Sequence, residues 1–80
     1  MDKKQTPAML LKIKSMRENL SKAELLVCDY IIEHPDEVIY LSVSELAAKS
    51  GVSDATVIRA SQKIGSSSYQ DLKISLAQDI

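Results

Sequence analysis

Val43-Ser44-Glu45-Leu46-Ala47-Ala48-Lys49-Ser50-Gly51-Val52-Ser53-Asp54-Ala55-Thr56-Val57-Ile58-Arg59-Ala60-Ser61-Gln62 holds two short helical patterns joined at Ser50-Gly51-Val52-Ser53. Ala47 stands four residues before the glycine, and Val57 stands six after it. This is the layout of a helix-turn-helix, in which a second helix is propped up to enter the major groove of DNA. Each position has a physical reason. Ala47 falls where the two helices come closest, so a large side chain there would push them apart. Gly51 is where the first helix must end in a left-handed turn, which glycine adopts without a Cβ clash. Val52 anchors the turn in the core, and Ser53 caps the second helix.

Outward from this stretch, the chain of 80 residues is long enough for one small domain and short for a fold without disulfides or metals. It has no Trp and no Phe, so the core must be aliphatic, with three tyrosines at its edges. No apolar run approaches the length of a membrane span. The basic start, Met1 to Pro7, lacks the apolar segment of a secretory signal. The single cysteine, Cys28, cannot form an internal disulfide, which suits a reducing cytoplasm, and it reads as a small core residue.

Net charge is −1, yet the charges are unevenly placed. Residues 1–17 carry Lys3, Lys4, Lys12, Lys14 and Arg17 against Asp2 alone. Residues 18–41 set Lys22 against Glu18, Glu24, Asp29, Glu33, Asp36 and Glu37. Residues 42–65 carry Lys49, Arg59 and Lys63 against Glu45 and Asp54, so the motif itself is mildly positive. Phosphate attraction scales with the number of phosphates neutralised, so a single copy should bind weakly and a homodimer is expected.

Helix signals dominate and alternating strand patterns are absent. Pro7 suits the first turn of a helix running to about Asn19, with Met9, Ile13 and Met16 on one side, either as core or as a dimer seam. Ser21-Lys22-Ala23-Glu24 is a capping box with Leu20 and Leu25 placed as a hydrophobic staple. The helix it opens buries Leu25, Val27 or Cys28, Ile31 and Ile32, and stops at His34 because Pro35 disfavours a helical residue before it. Pro35 to Tyr40 forms a short helix that turns Val38, Ile39 and Leu41 inward. Ser42-Val43-Ser44-Glu45 is a second capping box, and Ser53 to Ile64 forms a helix ended by Gly65. Ser66-Ser67-Ser68 reads as a short polar loop, with groove-edge contacts as the less favoured role. Ser68-Tyr69-Gln70-Asp71 caps a last helix with Tyr69, Leu72, Leu76 and Ile80 along one side. That helix carries no stop signal, which points to a longer parent protein. The expected fold is all-α, a compact five- or six-helix domain over residues 1–80 with no wing and the helix-turn-helix at about 43–62.

Projection at about 100° per residue sets Val57, Ala60, Ser61 and Ile64 on the inner side of the second motif helix. Ala55, Arg59 and Gln62 face outward, with Asp54, Thr56, Ile58 and Lys63 on the flanks. Arg59 suits a guanine or a phosphate, Gln62 an adenine, and Ala55 a thymine methyl, although Arg59 also fits a solvated surface charge. Ser44 and Ser53, at helix starts, suit phosphate, as does Lys63. Asp54 fits the favourable first-turn position of the helix dipole better than a cytosine amino group. The candidate DNA-binding set is therefore Ser44, Ser53, Asp54, Ala55, Thr56, Arg59, Gln62 and Lys63. One His, one Cys and no paired carboxylates offer no catalytic or metal constellation, and no cofactor is expected. The rival reading is a helical protein-interaction module using the apolar face of the first helix.

The chain resembles the N-terminal domain of RpiR-type bacterial transcription regulators. The matching residues are Leu20-Ser21-Lys22-Ala23-Glu24, Asp29-Tyr30-Ile31-Ile32 running to Pro35, Leu41 to Ala47, Gly51-Val52-Ser53, Thr56-Val57-Ile58-Arg59, Lys63-Ile64-Gly65 and Tyr69-Gln70-Asp71-Leu72-Lys73. The resemblance implies an all-helical DNA-binding domain followed, in a parent protein, by a sugar-isomerase-type domain that senses phosphosugars. It also implies control of carbohydrate or amino-sugar genes from palindromic operators bound by a dimer. Four positions depart from the family pattern. That pattern favours an aromatic at Ala60 and at Ser66, a basic residue at Gln62, and glycine at Ser68, so no operator sequence carries over.

Overall fold

The computed structural model describes residues 8–79. The expected roles of Pro7 and Ile80 lie outside the described residues. Among the described residues six α-helices follow one another: α1 (Ala8–Ser15), α2 (Lys22–Glu33), α3 (Pro35–Val38), α4 (Val43–Ser50), α5 (Asp54–Lys63) and α6 (Tyr69–Asp79). No strand is present among the described residues, so the architecture is all-α as expected.

The first helix is shorter than its apolar spacing implies. The Ser15 hydroxyl donates to the Lys12 carbonyl at 2.8 Å, competing with the backbone for that acceptor. The Met16 amide is shared at 3.2 Å between the carbonyls of Lys12 and Ile13, and the chain tightens into a 3-10 turn at Arg17–Asn19. The Arg17 guanidinium then meets the Asp29 carboxylate, tying this turn to α2. Met9 and Ile13 are buried, so this face of α1 is core.

Both expected capping boxes form. Ser21 and Glu24 exchange side-chain bonds at the start of α2, and Ser42 and Glu45 do the same at the start of α4. Val27 and Cys28 are both fully buried, while Leu25 and Ile32 are only partly so. Burial pushes the Cys28 thiol up to about 11, with the Asp29 charge adding to the effect, so the sulfur is an inert core group. His34 ends α2 at φ −134°, outside the helical region that Pro35 forbids it. The helix from Pro35 closes at Val38, and Tyr40, expected at its end, is 81% exposed.

The core gathers Ile13, Val27, Cys28, Ile31, Val38, Leu46, Val57, Ile64, Leu72 and Leu76, none with accessible surface. Each large aliphatic side chain so buried contributes about 1.5–3 kcal/mol. α2 lies behind both α4 and α5, and α6 closes the bundle against α1 and α5. Tyr69 fixes α6 to the α3–α4 junction, its hydroxyl donating to the Leu41 carbonyl at 2.8 Å, where Lys73 Nζ also donates at 3.1 Å. Burial pushes the Tyr69 phenol up to about 12, so it remains a donor.

Candidate nucleic-acid interface

The turn between α4 and α5 is built from local bonds. Gly51 has φ +77°; its amide donates to Ala48 O at 3.3 Å, and the Val52 amide donates to Ala47 O at 2.9 Å. These two bonds form a Schellman closure. Gly65 repeats it after α5 at φ +98°, with Gly65 N on Gln62 O and Ser66 N on Ser61 O, both at 3.0 Å. That second closure draws Ser66 inward until it is buried, so Ser66 is not the free loop hydroxyl expected. Ala47, in α4, is buried, as expected of a small residue between the two motif helices.

α5 begins at Ser53, whose hydroxyl accepts from the Thr56 amide at 3.2 Å. Its inner face is Val57, Ala60, Ser61 and Ile64, all buried. The Ser61 hydroxyl, enclosed among apolar side chains, is satisfied by donating to the Val57 carbonyl at 2.9 Å. Ala55, Ile58, Arg59, Gln62 and Lys63 are exposed, giving the helix an open outer side.

The candidate residues divide once their partners are visible. Ser53, Ala55 and Gln62 lie on the open side. Thr56, expected on the flank, is 5% exposed, and its hydroxyl stands 3.0 Å from Ser53 Oγ. It is a capping-turn residue, because the first turn of α5 folds its side chain back against the cap. Ser44 and Asp54 are exposed but engaged with each other: Ser44 Oγ donates to Asp54 Oδ2 at 2.8 Å, joining the beginnings of α4 and α5. The carboxylate thus has a partner inside the motif as well as a favourable place at the helix N-terminus.

Arg59 and Lys63 have a partner that the linear pattern did not reveal. Glu24, 2% exposed at the start of α2, places Oε1 3.1 Å from Lys63 Nζ and Oε2 3.6 Å from Arg59 Nε. Arg59 Nη2 also donates to Thr56 Oγ1 at 3.3 Å. The side chains of Arg59 and Lys63 remain 56% and 47% exposed, so each is anchored through a nitrogen while part of it reaches solvent. The bond that Glu24 accepts from the Ser21 amide lowers its pKa most, with burial opposing and Lys63 adding to the lowering, so the carboxylate is charged at neutral pH. A capping box marks Glu24 in the sequence as a local element only; nothing in its spacing says that α5 will lie beside it.

No group of three or more His, Cys, Asp or Glu side chains that could hold a metal occurs among the described residues, and no helix there is long and apolar enough to cross a membrane. What the arrangement offers is a capped helix with an open outer side, packed against α2, α4 and α6.

Known proteins share this arrangement. The chain matches the family described as helix-turn-helix domain, rpiR family, over residues 7–80. It is 40% identical over 68 residues to an uncharacterized HTH-type transcriptional regulator, YbbH of Bacillus subtilis, covering 85% of this chain and 24% of that protein. The crystal structure of the N-terminal domain of ybbH superposes with a TM-score of 0.85 at 38% identity, over 92% of this chain and 90% of that one. The Vibrio vulnificus NanR protein, solved in complex with ManNAc-6P, gives a TM-score of 0.85 at 34% identity, over 89% of this chain and 27% of that one. The chain spans about a quarter of the length of the curated relatives it matches.

Proposed function

From the premise that this chain belongs to the rpiR family of helix-turn-helix domains, we propose that it binds duplex DNA sequence-specifically as the reading domain of a transcription regulator. The observation that carries this reading is the outer side of α5. Ala55, Arg59 and Gln62 recur there at spacings of four and three, on a helix whose start is capped and whose inner side is fully packed. A rigid helix with small, forked and amide side chains in one row is suited to base edges in the major groove. Ser53, exposed at the start of α5, is suited to a phosphate beside the groove. Ser44, Asp54, Thr56 and Lys63 have intrachain partners, as Ser53 and Arg59 do, and what sets Ala55, Arg59 and Gln62 apart is their shared place on the outer side of the helix.

The regulator acts as a homodimer on a palindromic operator, because the few cations of one copy give only modest attraction to phosphate. It works in the cytoplasm, where DNA is accessible and Cys28 stays reduced. In a longer protein it is joined to a sugar-isomerase-type domain that takes a phosphosugar and controls carbohydrate or amino-sugar genes. The support for that step is the relative NanR, which was solved with ManNAc-6P.

Selection of preferred duplexes from a random-sequence pool by the 80-residue chain tests the reading. Enrichment of a palindrome is the expected result. Recovery of no preferred sequence by a folded chain would favour a helical protein-interaction module.

A further inference from the structure

The acid-rich segment between residues 18 and 41 folds back onto the motif. Every basic side chain of residues 42–65 meets a carboxylate from it: Lys49 Nζ stands 3.3 Å from Glu37 Oε2, and Arg59 and Lys63 share Glu24. The two carboxylates differ in setting. Glu37 is partly exposed, whereas Glu24 is nearly enclosed and also accepts from the Ser21 amide at 2.8 Å. One Glu24 oxygen therefore serves the start of α2 and the last turn of α5 together.

Given the DNA-binding reading above, on which this inference rests, we propose that Glu24 is a positioning residue for recognition: it withholds Lys63 and the Nε edge of Arg59 from the phosphate backbone. Non-specific attraction is thereby reduced, while the Arg59 side chain, 56% exposed, keeps part of its surface open to a duplex. A lysine free to swing toward the backbone would add one phosphate contact to every duplex alike and dilute sequence discrimination. A lysine fixed on a buried carboxylate adds none. The geometry favours the fixed state, because Glu24 cannot rotate away without giving up the capping bond to Ser21.

Glu24→Gln is the direct test, since glutamine offers the same oxygen to the Ser21 amide but no charge to Lys63. Binding of the 80-residue chain to a random-sequence duplex is followed by fluorescence anisotropy across a salt series. The variant should show a steeper dependence of log K on log salt, by about 1–2, and several-fold tighter binding at low salt. Its preference for a selected duplex over the random one should fall. Lys63→Met supplies a second arm that leaves the capping box untouched. It should not change the slope in the parent, and should lower it by about 0.9 in the Glu24→Gln background.

An unchanged slope in a folded Glu24→Gln chain overturns the proposal, as does a loss of about 0.9 on Lys63→Met in the parent. If the Gln variant does not fold, the Lys63→Met arm decides alone. Absence of salt-dependent binding by the parent would sink the DNA-binding reading itself, a different outcome from binding whose slope ignores Glu24.

Discussion

Glu24 Oε1 lies 3.1 Å from Lys63 Nζ, so the first turn of α2 and the last turn of α5 meet at one buried carboxylate. Its folded-state pKa lies below the ordinary 4.5, chiefly through the Ser21 amide. The stabilisation is therefore complete above the unfolded value and is lost as pH falls through the folded one. Melting temperature followed from about pH 6 to about pH 3 should fall less steeply for Glu24→Gln than for the parent. Parallel curves would show that the carboxylate contributes nothing through its charge. Glu37, also lowered, chiefly by the Tyr30 hydroxyl, adds to the acid loss in both chains and cancels in the comparison.

Gly51 has open space where a Cβ would sit, so its requirement is conformational rather than steric. Gly51→Ala should cost about 1–2 kcal/mol, the cost of holding an L-residue in the left-handed region. Urea denaturation of the two chains measures it. A neutral substitution would mean that the turn between α4 and α5 relaxes to another form.

Ala47, in α4, is 3% exposed. Ala47→Leu should destabilise by about 1–3 kcal/mol through overpacking. Denaturation midpoints at unchanged slope would report it. Undiminished stability would show that the two helices are not held at close approach.

The bond from Ser44 to Asp54 joins the motif helices at their starts, but both residues are exposed. A double-mutant cycle with Ser44→Ala and Asp54→Ala should give a coupling of about 0.5–1 kcal/mol, the low end of the net contribution of a hydrogen bond. A coupling of zero would mean that the pair is not maintained in solution.

Much of this structure was legible in the chain because it is local. The boxes at Ser21 and Ser42, the cap at Ser53, the turn at Gly51 and the inner row from Val57 to Ile64 are all set by residues within a few positions of one another. The early end of α1 is local too, but it turns on whether the Ser15 hydroxyl competes for a carbonyl, which apolar spacing does not encode. Thr56 falls on a flank in helical projection, which gives direction and not the reach of neighbouring turns. Burial of Ser66 follows from the closure at Gly65, and the same polar triplet without that closure would be an ordinary loop. The Glu24 anchor was invisible for a different reason: it joins residues far apart in sequence, and only the packing of α2 behind α5 brings them together.

On the proposed reading the outer side of α5 meets base edges, and Arg59 is its sharpest test. The Arg59→Ala chain should keep its fold, because Glu24 retains Ser21 and Lys63 as partners and the arginine side chain is 56% exposed. Its affinity for the selected duplex, measured by fluorescence anisotropy at fixed salt, should fall by about 1–3 kcal/mol, with preference relaxed at one base pair of each half-site. A folded Arg59→Ala chain that binds this duplex as tightly and as selectively as the parent would contradict the account.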